Sequence, residues 1–98
     1  MIHYSYDSVN DLLYLSLADR PVVQTLEVST TCFVDVDEVG RAVGIEVLDA
    51  SHGWPIEEVI DRFDLRELRW ELASFGDLKP VVSSPAGAIH VSRQPAMS

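Results

Sequence analysis

Hydrophobic and polar residues alternate one by one through much of the first half of the chain. Apolar side chains occupy every second position in residues 2–6 and again in residues 13–17. This spacing predicts strands, because successive side chains of a strand point to opposite faces of a sheet. Residues 7–11 between the two runs are mostly turn formers, so we predict an antiparallel hairpin.

Three further runs complete the predicted sheet. Residues 22–28 alternate less regularly and follow Pro21, which favours an edge strand. Residues 32–36 and 43–47 alternate clearly, and we predict a hairpin loop at residues 38–40 in which Gly40 adopts a positive φ. The sequence therefore predicts an antiparallel β-meander of about five strands.

After Leu48 the spacing of apolar residues changes from two to about 3.6, which is typical of helix. Pro55 suits a first helical turn, and Asp64 with Glu67 predicts a capping box that restarts the helix. An apolar stripe runs through this segment at Ile56, Val59, Ile60, Phe63, Leu65, Leu68, Leu72 and Phe75. We predict one or two C-terminal helices that cover one face of the sheet, and hence an α+β fold.

The chain has the length of one domain. Its 98 residues suffice for one hydrophobic core and not for two. We expect residues 1–78 to form a single α+β domain, with the sheet in residues 1–50 and the helical segment in residues 55–76. Residues 79–98 contain three prolines and are predicted to be a loose tail, with one short strand at residues 88–91.

Composition and charge exclude several classes of protein. Apolar residues make up 47% of the chain and charged residues 23%, which excludes wholesale disorder. The net charge of −9 opposes binding to nucleic acid but would steer a basic protein partner. No run is apolar enough to cross a membrane, and the single cysteine, Cys32, fits a core position in a reducing compartment. We therefore expect a cytoplasmic protein.

Two stretches of the chain resemble a known family. They are YDSVNDLLYLSL, from Tyr6 to Leu17, and VDVDEVGRAVGIEVLDAS, from Val34 to Ser51. The chain resembles the bacterial and archaeal family of domain of unknown function 2283, whose members are similar to YDxxxDxLYIxL followed by VDxDxxGxVVGIEILDAS. The resemblance implies a compact β-meander and no reaction, ligand or catalytic residue. The sequence after His52 departs from the short family core.

The second hairpin carries acidic residues with partial calcium-loop spacing. Asp35, Asp37, Gly40 and Glu46 match positions of an EF-hand loop, but Val39 stands where an oxygen ligand is needed and both flanks are predicted strands. A weak divalent-cation site at Asp35, Asp37 and Glu46 is the alternative, and no other cofactor is expected. The interpretation without metal is that an arginine separates Asp35 and Glu46 on one face.

Asp49, Ala50, Ser51 and His52 contain the residue types of a hydrolase triad. Adjacent positions do not give the relay geometry, which draws its members from separate segments. We predict a turn in which Asp49 or Ser51 caps the following helix. No catalytic residue is assigned, and we expect a protein that is not an enzyme.

The two tryptophans indicate a surface for contact. If Leu65, Leu68 and Leu72 face the sheet, Trp70 points away from it, and such a side chain is covered either by the tail or by a partner. We predict an interface at Trp54, Trp70, Ile89 and Val91, and homodimerisation through a sheet edge. The predicted function is a small acidic interaction or regulatory domain, in one version the neutraliser of a basic toxin-like protein. The alternative is a domain or enzyme that responds to metal or a small ligand through Asp35, Asp37 and Glu46.

Overall fold

A computed structural model describes residues 2–76 of the chain. The strands are β1 (His3–Asp7), β2 (Leu12–Ser16), β3 (Gln24–Ser29), β4 (Cys32–Val36) and β5 (Ala42–Leu48). The α-helices are α1 (Ile56–Phe63) and α2 (Arg69–Ala73), and single 3₁₀ turns lie at Ala50–His52 and Arg66–Leu68. The predicted α+β class, five antiparallel strands with two short C-terminal helices, is confirmed.

The strands are ordered β1-β2-β5-β4-β3 in one sheet, and every neighbouring pair is antiparallel. The predicted β1–β2 hairpin and the predicted edge position of β3 are confirmed. β3, β4 and β5 follow one another as a meander, whereas β2 pairs with β5 and not with β3. The first hairpin therefore lies along the far side of the meander, and β1 and β3 are the two edges.

One face of the sheet, here called the inner face, builds the core with the helices. Every second residue of β2 and β4 points into this face, as the alternating pattern predicts. β5 adds Ile45 and Val47 in alternation, but Ala42 takes the core position predicted for Val43, because the register with β4 shifts at this end. α1 contributes Val59 and Ile60, and α2 contributes Leu72. The fully buried large side chains are Leu13, Leu15, Cys32, Val34, Ile45, Val47, Val59, Ile60 and Leu72. The predicted core position of Cys32 is confirmed, and burial raises the pKa of its thiol to about 11.

The turn between β4 and β5 forms as predicted. Gly40 has φ +86°, a conformation that glycine adopts without a Cβ clash. The Gly40 amide donates to the Asp37 carbonyl at 3.0 Å, and the Asp37 amide donates to the Arg41 carbonyl at 3.0 Å. Asp37 and Arg41 thus close a three-residue loop at residues 38–40.

The helical segment is divided at Asp64, but not by a capping box. Asp64 adopts a left-handed conformation with φ 57°, and its amide donates to the Ile60 carbonyl at the end of α1. Neither the turn at Arg66–Leu68 nor α2 has a side-chain hydrogen bond at its N-cap, so the predicted role of Asp64 and Glu67 was wrong. Asp64 is a C-terminal cap, a position that aspartate tolerates because its short polar side chain fits left-handed backbone.

Part of the prediction falls on residues that the structure does not describe. The tail at residues 79–98, its short strand, and the interface residues Ile89 and Val91 lie outside residues 2–76. Within those described residues, no helix is both long and apolar enough to traverse a lipid bilayer.

Candidate functional site

The face of the sheet opposite the core, here called the outer face, carries a hydrogen-bonded chain across four strands. Tyr14 on β2 donates its hydroxyl to Asp35 Oδ2 on β4 at 2.8 Å. Thr25 on β3 donates its hydroxyl to Asp35 Oδ1 at 2.6 Å. Both oxygens of this carboxylate are therefore occupied by neutral donors of the same chain.

Gly44 makes the long reach of Tyr14 possible. β5 lies between β2 and β4, and Gly44 is the residue of β5 that pairs with both Ser16 and Asp35. A Cβ atom at Gly44 would lie 1.9 Å from the Tyr14 hydroxyl oxygen and 2.5 Å from Cζ. The phenol ring occupies the space that a side chain at Gly44 would fill, so this glycine is required by close approach rather than by a turn.

Asp35 and Glu46 share the outer face, as predicted. Phe33 pairs with Glu46 and Asp35 pairs with Gly44, which places the two carboxylates diagonally across neighbouring strands. Burial, followed by the hydrogen bond to Asp35, raises the pKa of Tyr14 to about 12. The prediction that an arginine separates Asp35 from Glu46 was wrong, because the side chains that donate to Asp35 are Tyr14 and Thr25.

Asp37 has different surroundings, at the base of the β4–β5 turn. Its Oδ1 accepts the amides of Val39 and Arg41, at 3.0 and 2.9 Å. Its Oδ2 accepts the Nε groups of Arg20 and Arg41, at 2.7 and 3.0 Å. Burial alone would raise the pKa of this carboxyl, which is 6% exposed, but the Arg41 amide and the two guanidinium groups outweigh burial and lower the pKa to about 2.

The predicted metal ligands are thus divided between two hydrogen-bonded groups. Asp37 is held by two arginines, Asp35 by two hydroxyl donors, and Glu46 is exposed on β5. Across residues 2–76, no three histidine, cysteine, aspartate or glutamate side chains form a group suited to a metal ion. The divalent-cation site at Asp35, Asp37 and Glu46 stays a prediction, and a metal there would have to displace these partners.

Asp11 joins the first hairpin to the turn that follows β5. Its Oδ1 accepts the Tyr6 hydroxyl at 2.7 Å and the Ser51 amide at 2.9 Å, and its Oδ2 accepts the Ser51 hydroxyl at 2.7 Å. The Ala50 amide donates to the Asp11 carbonyl at 3.0 Å. Asp11 also has φ 57°, so one residue turns the hairpin and anchors a segment about 40 positions away in sequence.

This cluster contains serine, histidine and aspartate, but not in the order of a relay. Ser51 donates directly to Asp11, while His52 is 82% exposed with its Nδ1 3.9 Å from Asp11 Oδ2. Burial and the hydrogen bond to Asp11 raise the pKa of Tyr6 to about 12. Burial would raise the pKa of Asp11, but its donors Ser51 and Tyr6 lower it overall. Asp49 and Ser51 make no side-chain cap, so that prediction was wrong.

The two tryptophans differ in exposure. Trp70 on α2 is 84% exposed, and its predicted orientation away from the sheet is confirmed. Trp54 is partly buried against the core and donates its indole Nε1–H to the Phe75 carbonyl at 3.1 Å. Trp54 therefore holds the end of the helical segment, and Trp70 is the tryptophan available for contact.

Charge on the surface is strongly unbalanced. Of the five arginines in residues 2–76, four pair with acidic side chains of the same chain: Arg20 and Arg41 with Asp37, Arg66 with Asp64, and Arg69 with Glu57. The fifth, Arg62, lies over the Phe63 ring with its Cζ atom 5.4 Å from the ring centroid. Most carboxylates of the described part consequently have no guanidinium partner. Their negative charge is not neutralised within residues 2–76 and gives the surface an excess of negative charge.

A shallow open depression of about 290 Å³ lies beside Tyr14 on the outer face, with Ser5, Asp7 and Glu46 at its border. Asp7 is occupied by its own turn, where it accepts the amides of Val9 and Asn10. Tyr14 is occupied by Asp35. Two of the polar side chains at the depression, Asp7 and Tyr14, are therefore already engaged within the chain.

The fold and its hydrogen bonds define a small α+β protein with a five-stranded antiparallel sheet in which Asp11, Asp35 and Asp37 join strands and turns. Residues 3–51, half of the chain, match the family described as protein of unknown function (DUF2283). The chain belongs to this family, as the resemblance in sequence predicts. No curated protein and no solved structure gives a significant match to the chain.

Proposed function

We propose that this protein is a small acidic interaction domain that binds another protein through the outward face of its helical segment. The observation that carries the proposal is the 84% exposure of Trp70 on α2. Tryptophan is the residue type most enriched among the energetic anchors of protein interfaces. Exposing an indole to water is otherwise unfavourable, because burial of so large an apolar side chain would stabilise the protein.

The hydrogen-bonded groups of the sheet support this assignment of the surface. Asp11, Asp35 and Asp37 each make several contacts within the chain, so their side chains hold strands and turns together. The Trp70 side chain makes no hydrogen bond or aromatic pair with any residue in the part of the chain that the structure describes. A role for Trp70 in the fold is therefore not evident, and a role in binding accounts for it.

Charge favours a basic partner. The net charge is −9, and the arginines of residues 2–76 are already engaged by their own chain. Opposite charge accelerates association and suppresses binding of other acidic proteins. The concrete form of the proposal is a regulator that masks a basic surface, such as the nucleic-acid-binding face of a toxin-like nuclease.

The proposal is tested by affinity copurification from extract of the source organism at low and high salt. We expect a basic protein that is retained at low salt, is released at high salt and is lost with Trp70→Ala. Val9→Ala is the matched control, because Val9 is also an exposed apolar residue but lies in the β1–β2 turn. Retention that is equal for both variants, or that salt does not change, would refute the proposed surface.

We also propose that the protein is a homodimer joined along a sheet edge. β3 is an edge strand, and the exposed Val22 and Val23 continue it on the side of Pro21. An exposed edge with β-branched residues favours pairing with a second chain. Sedimentation velocity should give a dimer for the native chain and a monomer for Val23→Lys, with Val9→Lys as the control of equal charge. A native monomer at micromolar concentration would exclude the dimer.

A further inference from the structure

We propose that Trp70 and Glu67 together receive an arginine side chain of the basic partner. The inference rests on the interaction role given above and names the chemistry that this surface recognises. The guanidinium would lie over the indole of Trp70, while the carboxylate of Glu67 accepts its N–H groups. The occupant is a basic segment of another protein.

The neighbours of Trp70 leave its ring uncovered. Residues three and four positions apart are adjacent on a helix surface, and on the C-terminal side of Trp70 these are Ala73 and Ser74, both small and exposed. The Ser74 hydroxyl donates back to the Glu71 carbonyl at 2.6 Å. On the N-terminal side Arg66 and Glu67, both exposed, belong to the 3₁₀ turn that directly precedes α2, a geometry in which residues three positions apart lie above one another. Small exposed side chains therefore follow Trp70 along the chain, and an exposed carboxylate stands three residues before it.

The chain supplies no cation for this ring within residues 2–76. Arg66, at four residues from Trp70, is held by Asp64 at 2.7 Å, and Arg69 is held by Glu57. The cation that stacks on an aromatic ring in this region is Arg62, and its ring is that of Phe63. Tryptophan is the strongest aromatic acceptor of a cation, so the surface has an open indole, a nearby carboxylate and an overall charge that attracts a cation from outside.

Arginine fits this arrangement better than lysine. Its planar guanidinium stacks flat on an aromatic ring while its edge N–H groups reach a carboxylate, whereas a lysine ammonium is a compact and strongly hydrated charge. A cation on an exposed aromatic ring changes affinity by about two- to fivefold. We therefore expect the selectivity for arginine to be modest for one contact and to disappear without Trp70.

The first measurement uses the native chain of 98 residues in solution. Its two tryptophans give two indole N–H signals in a proton–nitrogen NMR spectrum, assigned with Trp70→Phe. A soluble paramagnetic gadolinium chelate should broaden the Trp70 signal more strongly than that of Trp54, which is hydrogen-bonded and partly buried. If the Trp70 signal is protected in the free monomer, residues of the chain itself cover the ring and the proposal is wrong.

The second measurement titrates the same sample with a capped peptide of alternating arginine and glycine, and with its lysine counterpart. We expect the arginine peptide to shift the Trp70 signal and to bind at least twofold more tightly than the lysine peptide. Trp70→Ala and Glu67→Gln should each weaken the arginine peptide by about two- to fivefold. Glu38→Gln removes the same charge from the β4–β5 turn and should leave the affinity unchanged.

The outcomes separate this inference from the proposed function. Equal binding of both peptides, or equal effects of Glu67→Gln and Glu38→Gln, would refute an arginine site at Trp70. The proposed function would still be supported if the extract yields a partner that salt releases and that requires Trp70. An arginine-selective shift at Trp70 without such a partner in the extract would support the site and refute the interaction role in that organism.

Discussion

Replacing Gly44 by alanine tests whether the crossing of Tyr14 over β5 holds the outer face together. The new Cβ atom would lie 1.9 Å from the Tyr14 hydroxyl oxygen, well inside any permitted contact. The tip of the tyrosine side chain would move, because the alternative is a displacement of β5 in the middle of the sheet. The hydrogen bond from Tyr14 to Asp35, 2.8 Å long, would then be lost.

The size of the effect follows from two opposing contributions. A hydrogen bond to a charged group contributes about 1.5–3 kcal/mol. Alanine is more favourable than glycine within a strand by about 0.5–1 kcal/mol, because it loses less backbone entropy on folding. Gly44→Ala should therefore lower the free energy of unfolding by about 1–2 kcal/mol. For a domain of this size each kcal/mol lowers Tm by roughly 4–8 °C.

The assay is a double-mutant cycle with Tyr14→Ala, measured by urea unfolding. In the Tyr14→Ala background the space above Gly44 is empty, so Gly44→Ala should be neutral or stabilising by about 0.5–1 kcal/mol. Tyr14→Phe gives the contribution of the hydroxyl alone. A Gly44→Ala change that destabilises both backgrounds equally would refute the reasoning, since the alanine would then clash with something other than the phenol.

Three further predictions concern titration and metal. The pKa of Tyr6 and of Tyr14 is about 12 instead of 10.0, so their stabilising contribution is complete below pH 10 and is lost as pH rises through 12. Tm should therefore fall over this pH range as the tyrosinate absorbance at 295 nm appears. The fall in Tm should be less steep in Tyr14→Phe. The pKa of Asp37 is about 2 instead of 3.8, so its contribution to the free energy of unfolding is present above pH 3.8 and is lost as pH falls through 2. Thermal melts should show this loss in the native chain but not in Asp37→Asn. The variant should be less stable at neutral pH, because Arg20 and Arg41 lose their carboxylate partner. Millimolar Ca²⁺, Mg²⁺ or Mn²⁺ should leave Tm unchanged, because a metal must displace both arginines from Asp37, whereas a rise in Tm would establish the predicted site.

The local parts of the fold were accessible from the sequence. Alternation predicted which side chains of β2 and β4 form the core, and Gly40 predicted the β4–β5 turn. In β5 it predicted Ile45 and Val47 but not the shift in register that brings Ala42 to the core. The rotation of a helix predicted that Trp70 faces away from the sheet. Each of these follows from the geometry of one segment, which is fixed by the spacing of neighbouring residues.

Contacts between distant segments were not accessible in the same way. Nothing in the spacing of residues shows that β2 pairs with β5, or that Asp11 binds Ser51. The left-handed conformations of Asp11, Asp49 and Asp64 were also missed, since aspartate signals both N-caps and left-handed turns. The sequence held one signal of a contact between distant segments. Gly44 is a glycine inside a strand, which indicates that another group approaches the backbone closely there.

The same contacts explain why acidic residues of the first half give a misleading impression of a reactive site. Asp7, Asp11, Asp35 and Asp37 each accept several hydrogen bonds within the chain. A carboxylate with several donors is held in one position, which suits a structural anchor. At Asp37, where each oxygen already accepts two donors, a metal would have to displace the contacts that hold the turn.

The residues by which the chain is recognised as a family member are therefore the residues that build its sheet. The family match ends at residue 51, before α1 and α2 begin. Trp70 and Glu67 lie beyond that boundary, on a helical segment that contributes Val59, Ile60 and Leu72 to the core. An exposed side chain of this segment that lies outside the core can change without loss of the sheet. Under the proposed function, partner choice resides in residues 52–76, and Trp70→Ala should weaken binding there while leaving the free energy of unfolding nearly unchanged, because its side chain is 84% exposed.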